Sequence, residues 1–322
     1  MKKIHYLLIG AFVGVAIFIG YAVSGNDKTT NNENVAVATD TLRALADDVT
    51  TIRYFAAKMP ENTSFAGEPV PLTDIEVRER LDRELTVNGY WHSNMIQNLK
   101  LASRWFPVIE PILKENGIPD DFKYLAIAES GLRNVISPSD AHGYWQFLKG
   151  TGLQYGLTIN AEVDERYDME KSTLAATKYL KDAYAKFGNW TLAGASYNAG
   201  MGAIEGAVNY QKEDAYYDLY LKEETSRYIF RALAYKIIFE NTQKYGFFLT
   251  KDDLYNPLQY QTVKVDSTIT DLAEIEKKHN TNFKMLKYYN PWLRSTLLTV
   301  KKGETYQIRL PLSASVKTGG TQ

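Results

Sequence analysis

From Ile75 to about Tyr245 the chain carries helical patterning almost without a break, which confines its main domain to an α-helical fold. Candidate helices fall near 76–87, 91–102, 105–116, 119–131, 139–150, 170–187, 190–198, 201–209 and 222–243. In the helix over 170–187, Ala176, Tyr179, Leu180, Ala183, Tyr184 and Phe187 recur at i, i+3, i+4 and i+7, the stripe of a helix that turns one face to a core. Beyond this run the period changes. Tyr260-Gln261-Thr262-Val263-Lys264-Val265 alternates like a strand, Thr270 to His279 and Asn282 to Tyr289 read as short helices, and Tyr306 to Leu310 alternates again. That order predicts a small β-α-α-β unit behind a mainly α domain.

The N-terminus is a different kind of sequence. Lys2 and Lys3 precede Ile4 to Gly25, a stretch with no Lys, Arg, Asp or Glu, which marks the chain for export. The stretch is long enough for a spanning helix of about 20 residues and longer than the usual signal-peptide core, so a retained anchor is favoured over a cleaved signal peptide. The chain has no Cys, which excludes lipoprotein acylation. From Asn26 to Asp74 the composition turns polar and then irregular, with Pro60, Gly67, Pro69 and Pro71, and reads as a tether with one amphipathic stretch from Asp40 to Lys58. The expected organisation is therefore a signal peptide or anchor over 1–25, a linker over 26–74, a helical domain over 75–247, the small unit over 248–312 and a tail over 313–322.

Composition narrows the chemistry. Lys and Arg total 37 against 38 Asp and Glu, without a block of either sign, so no nucleic-acid partner is implied. With no Cys and four His scattered along the chain, thiol catalysis is excluded and neither a metal nor a cofactor is expected. Carboxylates, hydroxyls and amides remain. The 23 Tyr, 13 Phe and 5 Trp suit stacking on sugar rings as well as ordinary core packing.

One carboxylate stands out. In Asp120 to Gly131, positions 122, 125, 126 and 129 share a helix face, which places Glu129 on the apolar side. Desolvation there would raise its pKa and keep it protonated near neutrality, although a Glu near a helix end is commonly just solvated or structural. Ser137-Pro138-Ser139-Asp140-Ala141-His142-Gly143 leads into Tyr144-Trp145-Gln146-Phe147 and supplies hydroxyl and amide groups close in sequence. Ser196-Tyr197-Asn198-Ala199-Gly200 presents Tyr197 and Asn198 where a helix ends at glycine. From spacing alone, these polar groups serve equally well as caps or as site residues.

Taken in order, Glu129-Ser130-Gly131, the run Ser137 to Leu157 with Gly143-Tyr144-Trp145-Gln146-Phe147, Val163-Asp164-Glu165-Arg166, Ser196 to Gly200 and Glu224-Thr225-Ser226-Arg227-Tyr228 resemble the successive motifs of the family 1 lytic transglycosylases. These belong to glycoside hydrolase family 23, and the resemblance covers roughly Val77 to Phe247. It implies a goose-type lysozyme-like helical fold, with Glu129 as catalytic acid/base and Ser137 and Tyr228 holding or tuning its carboxylate. Gln146, Tyr197 and Asn198 would line the sugar subsites, and Glu224 would fix the last helix. Two departures are Tyr144, where an aliphatic residue is commoner, and Ser196 in place of Ala. The C-terminal unit resembles a LysM module through Ile269, Leu272-Ala273, Leu286, Asn290-Pro291 and Gly303. It departs at Asp266-Ser267 and in a long loop from Trp292 to Thr305.

The activity implied is cleavage of the β-1,4 bond between N-acetylmuramic acid and N-acetylglucosamine, in the periplasm or cell envelope. The partners are peptidoglycan strands and, for an uncleaved leader, the inner membrane. Glycosidases ordinarily use two carboxylates, but these motifs offer one; Asp140 lies in a turn, and Asp164, Glu165 and Asp168 suit helix capping better. One suffices if Glu129 protonates the leaving oxygen, the acetamido group stabilises the oxocarbenium-like centre, and Glu129 then deprotonates the muramoyl C6 hydroxyl to close an anhydro ring. The alternatives are a lysozyme-type hydrolase of the same fold and a non-catalytic peptidoglycan-binding protein. A Ser139–Asp140–His142 hydrolase is disfavoured, since neighbours in one turn cannot readily adopt that geometry.

Overall fold

The computed structural model describes residues 55–279 and 281–312, and from Ala57 onward these group as one unit. The expected leader over 1–25, the first part of the tether and the tail over 313–322 lie outside the described residues. Among the described residues no helix is long and apolar enough to cross a membrane.

The end of the expected tether belongs to the core instead. Strands β1 (Ser64–Phe65) and β2 (Glu68–Pro69) pair antiparallel around a turn in which Ala66 and Gly67 both take positive φ. Phe65 is fully buried and meets Phe122 edge-on at 5.3 Å, while Val70 and Leu72 join the same core. The Ala66 amide donates to Asp121 (2.7 Å), and the Glu68 carboxylate accepts the Trp190 and Thr191 amides (2.5 and 2.9 Å), capping a distant helix. Three apolar residues among prolines and polar groups made too short a pattern to read as core.

Helix α1 (Ile75–Tyr90) starts at Asp74, whose side chain accepts from the amides of Glu76 and Val77. Two helices expected over 91–102 and 105–116 are one, α2 (His92–Glu115), which runs through Pro107 and Pro111. Each proline removes a backbone donor at a cost of roughly 3 kcal/mol. Burial of Met95, Ala102, Ile109 and Leu113 along one side offsets that. Helix α3 (Lys123–Ser130) ends at Gly131, which is left-handed at φ 60°. It packs on α8 (Glu223–Glu240), of which eleven residues are buried.

The helix expected over 139–150 does not form, and this corrects the sequence reading. Residues 135–147 make a folded turn in which the His142 amide donates to Phe147 and the Gly143 amide to Val135, both at 3.0 Å, and helix α4 begins only at Lys149 (Lys149–Gln154). Gly143 is the reason: at φ 80° its missing Cβ would sit 1.9 Å from the Arg166 carbonyl oxygen, so the turn is pressed against the 162–168 loop. Helices α5 (Met169–Phe187), α6 (Trp190–Ala199) and α7 (Met201–Gln211) complete the helical domain close to their expected bounds.

The C-terminal unit follows the expected order: β3 (Tyr260–Val265), α9 (Ala273–Lys278), α10 (Phe283–Tyr289) and β4 (Tyr306–Pro311), with Val263 opposite Ile308 in an antiparallel pair. Fully buried Asn290 ties helix to strand, donating to the Leu286 and Arg309 carbonyls and accepting the Arg309 amide. Its core takes in Val163 and Tyr167 of the helical domain. The long loop after Trp292 makes the join: Val163 bridges to Leu293, the Asp164 amide donates to the Trp292 carbonyl (2.9 Å), the Arg294 amide to the Glu162 carbonyl (2.7 Å), and Thr299 to the Glu162 carboxylate.

Candidate active site

Glu129 sits in the last turn of α3, half-buried, with Tyr228 of α8 donating to its Oε1 at 2.5 Å. Burial pushes its carboxyl up to about 7; the Tyr228 hydrogen bond and the Arg231 charge pull the other way, and the Glu224 charge adds to the rise. The phenol of Tyr228 is itself buried and beside that carboxyl, which holds it well above the usual tyrosine range and keeps it a donor. One oxygen of Glu129 is thus fixed by a neutral group, and among the described residues no cation forms an ion pair with it.

The cation nearest to doing so is occupied elsewhere. Arg231 lies 3.8 Å from Glu84, and Arg227 meets Glu84 at 2.6 Å. Glu84 is fully buried and also accepts from Asn88. These residues were not singled out from the sequence. The signal was present: Glu84 interrupts the Val77, Leu81, Leu85 stripe of α1, and Arg227 and Arg231 are one turn apart on the helix that carries Tyr228.

Tyr197 and Asn198 do not cap their own helix. The Tyr197 hydroxyl donates to the Trp145 carbonyl (2.9 Å), and its ring meets Trp145, Phe147 and Tyr179 edge-on. Burial raises its phenol well above the usual range, and the Glu129 charge adds to this. Asn198 donates to Glu224 (3.3 Å) and accepts from Thr225 (2.9 Å), so the Glu224-Thr225 pair fixes the end of α6 against the start of α8. Beside them Asn198, Ile204, Tyr220, Leu221 and Glu224 line a groove.

Ser137 and Gln146 both make side-chain hydrogen bonds within the turn. The Ser137 hydroxyl accepts the Ala141 amide (3.0 Å), a bond that closes the turn. Gln146, at φ 51°, donates to the carbonyls of Val135 and Gly143, also within the turn. The turn is tied to Glu129 through Ser130, whose hydroxyl donates to the Tyr144 carbonyl (2.7 Å), and Trp145 is pinned by its indole N–H to Thr173 (2.9 Å). His142 faces Asp140 (2.6 Å) and the Tyr167 hydroxyl (3.0 Å), so both ring nitrogens are taken and Ser139 is not among its partners.

The Val163 to Arg166 motif has a structural task. Asp164 accepts from the Arg166 guanidinium at 2.7 and 2.9 Å and from its amide, and Arg166 donates to the Phe147 carbonyl (3.2 Å). Asp168 caps α5 by accepting the Lys171 amide.

Two family models match the chain: the transglycosylase SLT domain over residues 106–220, and the soluble lytic transglycosylase C-terminal LysM-like domain over residues 261–314. The chain is similar to membrane-bound lytic murein transglycosylase D of Escherichia coli K12 and of Escherichia coli O6:H1. Each is 27% identical over 235 residues, which covers 71% of this chain and 50% of the relative. The chain therefore spans about half the length of the curated relatives it matches.

Proposed function

We propose that this chain, which carries a transglycosylase SLT domain followed by a LysM-like domain, is a peptidoglycan lytic transglycosylase with Glu129 as its one catalytic acid and base. The observation that carries this reading is the Glu129 carboxyl, raised to about 7 by burial and held on one oxygen by Tyr228. Near neutrality it is protonated for a large fraction of the time and can donate to the oxygen between N-acetylmuramic acid and N-acetylglucosamine. After the bond breaks, the carboxylate takes the proton of the muramoyl C6 hydroxyl, which attacks the anomeric carbon and closes a 1,6-anhydro ring. No water enters and Glu129 ends protonated, ready for the next bond. Tyr228 orients the carboxyl throughout; Tyr197 and Asn198 line the sugar path beside it.

The natural setting of this reaction is the bacterial cell envelope, with the N-terminal apolar stretch holding the enzyme at the membrane. Purified sacculi incubated with wild type and with Glu129→Gln test the chemistry. Mass spectrometry of wild-type digests should give anhydromuropeptides, and the variant should release none. Products heavier by one water would assign the chain to the hydrolases of this fold, and release by the variant at the wild-type rate would remove Glu129 from its role.

A further inference from the structure

The groove beside Asn198 has a volume of about 390 Å³ and is formed by the end of α6, one face of α7 and the start of α8. That volume is within the range of roughly 300–1,000 Å³ typical of ligand sites. Ala199, Ala203 and Ala207 leave room along it that larger side chains would fill. Lys222 and Glu224 bring one charge of each sign, so the groove is not biased towards an anion or a cation. Tyr220 is the one aromatic ring among its described lining residues.

Tyr220 is 89% exposed, and no large apolar side chain among the described residues is more so. A lone exposed aromatic is ordinary on a protein surface, but the backbone of this one is fixed from both sides. Its amide donates to the side-chain oxygen of Gln211 (2.7 Å), and the Gln211 side-chain nitrogen donates back to its carbonyl (3.0 Å). Gln211 is the last residue of α7, so Tyr220 is tied to the helix that makes one wall of the groove. On the other side Leu219 is buried, and the Tyr216 hydroxyl donates to the Thr225 and Ser226 carbonyls at 2.9 and 2.8 Å. A fixed main chain thus holds a free ring at the edge of a groove that also contains the amide of Asn198.

A pyranose ring in a β-1,4-linked strand has flat faces of C–H groups and polar groups at its edge. An aromatic ring in the open offers such a face a surface to cover, and neighbouring amides and carboxylates take the edge. We infer that Tyr220 is a stacking platform for a sugar ring of the bound glycan strand, one that holds the strand without taking part in proton transfer. Because the main chain beneath the ring is already ordered, little ordering of the protein is left for binding to impose. The inference rests on the reading of this chain as an enzyme of glycan strands.

The test is calorimetric titration of the full chain carrying Glu129→Gln with peptidoglycan strands freed of their stem peptides. Adding Tyr220→Ala should weaken binding roughly tenfold, whereas Tyr220→Phe, which keeps the ring, should stay within about twofold of the parent. Phe248→Ala removes a ring that is 73% exposed but lies outside the groove, and should leave affinity unchanged. In the active enzyme Tyr220→Ala should raise KM on the same strands by about the same factor, with kcat and the pH profile unchanged. Cooperative unfolding of each variant serves as the fold control. No saturable binding by the folded parent, equal affinity of Tyr220→Ala and the parent, or Tyr220→Phe binding as weakly as Tyr220→Ala would each overturn the inference. Binding is read without turnover, so strands held through Tyr220 by a wild type that forms no anhydro products would overturn the reaction assigned to Glu129 and support the platform.

Discussion

Glu129 and Asp168 are both carboxylates withdrawn from water, and their surroundings differ in one respect. Asp168, 3% exposed, faces the Arg309 guanidinium at 2.6 Å and caps a helix. Burial works against the charge of Arg309, but Asp168 and Glu170 hold it above its usual range, so the guanidinium stays charged against them. Glu129 has a neutral phenol as its hydrogen-bond partner, and the nearby Arg231 is shared with Glu84. A paired carboxylate fastens two parts of a chain together. One left without a counter-ion stores an elevated proton affinity, and that is the property an acid catalyst needs.

The largest effect should come from Glu129→Gln. Loss of acid and base function together is expected to lower turnover on sacculi by at least ~10³-fold, since proton transfer by a positioned group contributes about 10²–10⁴-fold per step. The same variant reports on stability. Because the folded carboxyl has a raised pKa, its contribution is full below about 4.5 and is lost as pH rises through about 7. Relative to wild type, Glu129→Gln should therefore gain on the order of 1–3 kcal/mol between pH 5 and pH 8 in urea unfolding. A flat difference across that window would mean that Glu129 titrates as an ordinary exposed glutamate, and the contrast with Asp168 would disappear.

The opposite outcome is expected at the junction. Arg309→Ala leaves Asp168 buried without its cation and should destabilise the fold by about 3 kcal/mol. Adding Asp168→Asn should recover part of the loss, because the unpaired charge and not the missing contact is the main cost. If the single variant unfolds at the wild-type urea concentration, the C-terminal unit is merely resting on the 162–168 loop. Tyr228→Phe is a smaller perturbation. It removes the donor that favours the ionised carboxyl, so the alkaline fall of kcat/KM should move to higher pH, with activity reduced about 10- to 50-fold at the optimum. A profile unchanged in position would leave burial as the only control on Glu129.

How much of this was legible in the sequence depended on whether the signal was local. The apolar face that carries Glu129, the stripe of α5 and the alternation of β3 and β4 are short-range patterns, and they read directly. The turn over 135–147 did not. Its shape is set by contact between Gly143 and Arg166, residues far apart in the chain, and by positive φ at Asp140 and Gln146 that their residue types do not announce. The join between the two domains was equally hidden, because a backbone bridge from Val163 to Leu293 leaves no trace in composition. Glu84 was readable in principle: a glutamate in an apolar stripe needs a partner, and Arg227 and Arg231 sit one turn apart.

Ser137 is the site residue whose variant should have the smallest effect. The family pattern gives it a share in holding the carboxylate, and its hydroxyl accepts the Ala141 amide and closes the turn. Ser137→Ala removes one half-exposed hydrogen bond, worth about 1 kcal/mol of stability, and opens the turn slightly. Activity should fall less than about fivefold, through KM more than kcat, and the pH profile should keep its position. A shift of the alkaline limb like that expected for Tyr228→Phe would show that the turn rearranges during turnover and brings Ser137 onto the carboxylate. Glu129 would then be paired in the working state in a way the resting fold does not display, and the contrast with Asp168 would hold only for the enzyme at rest.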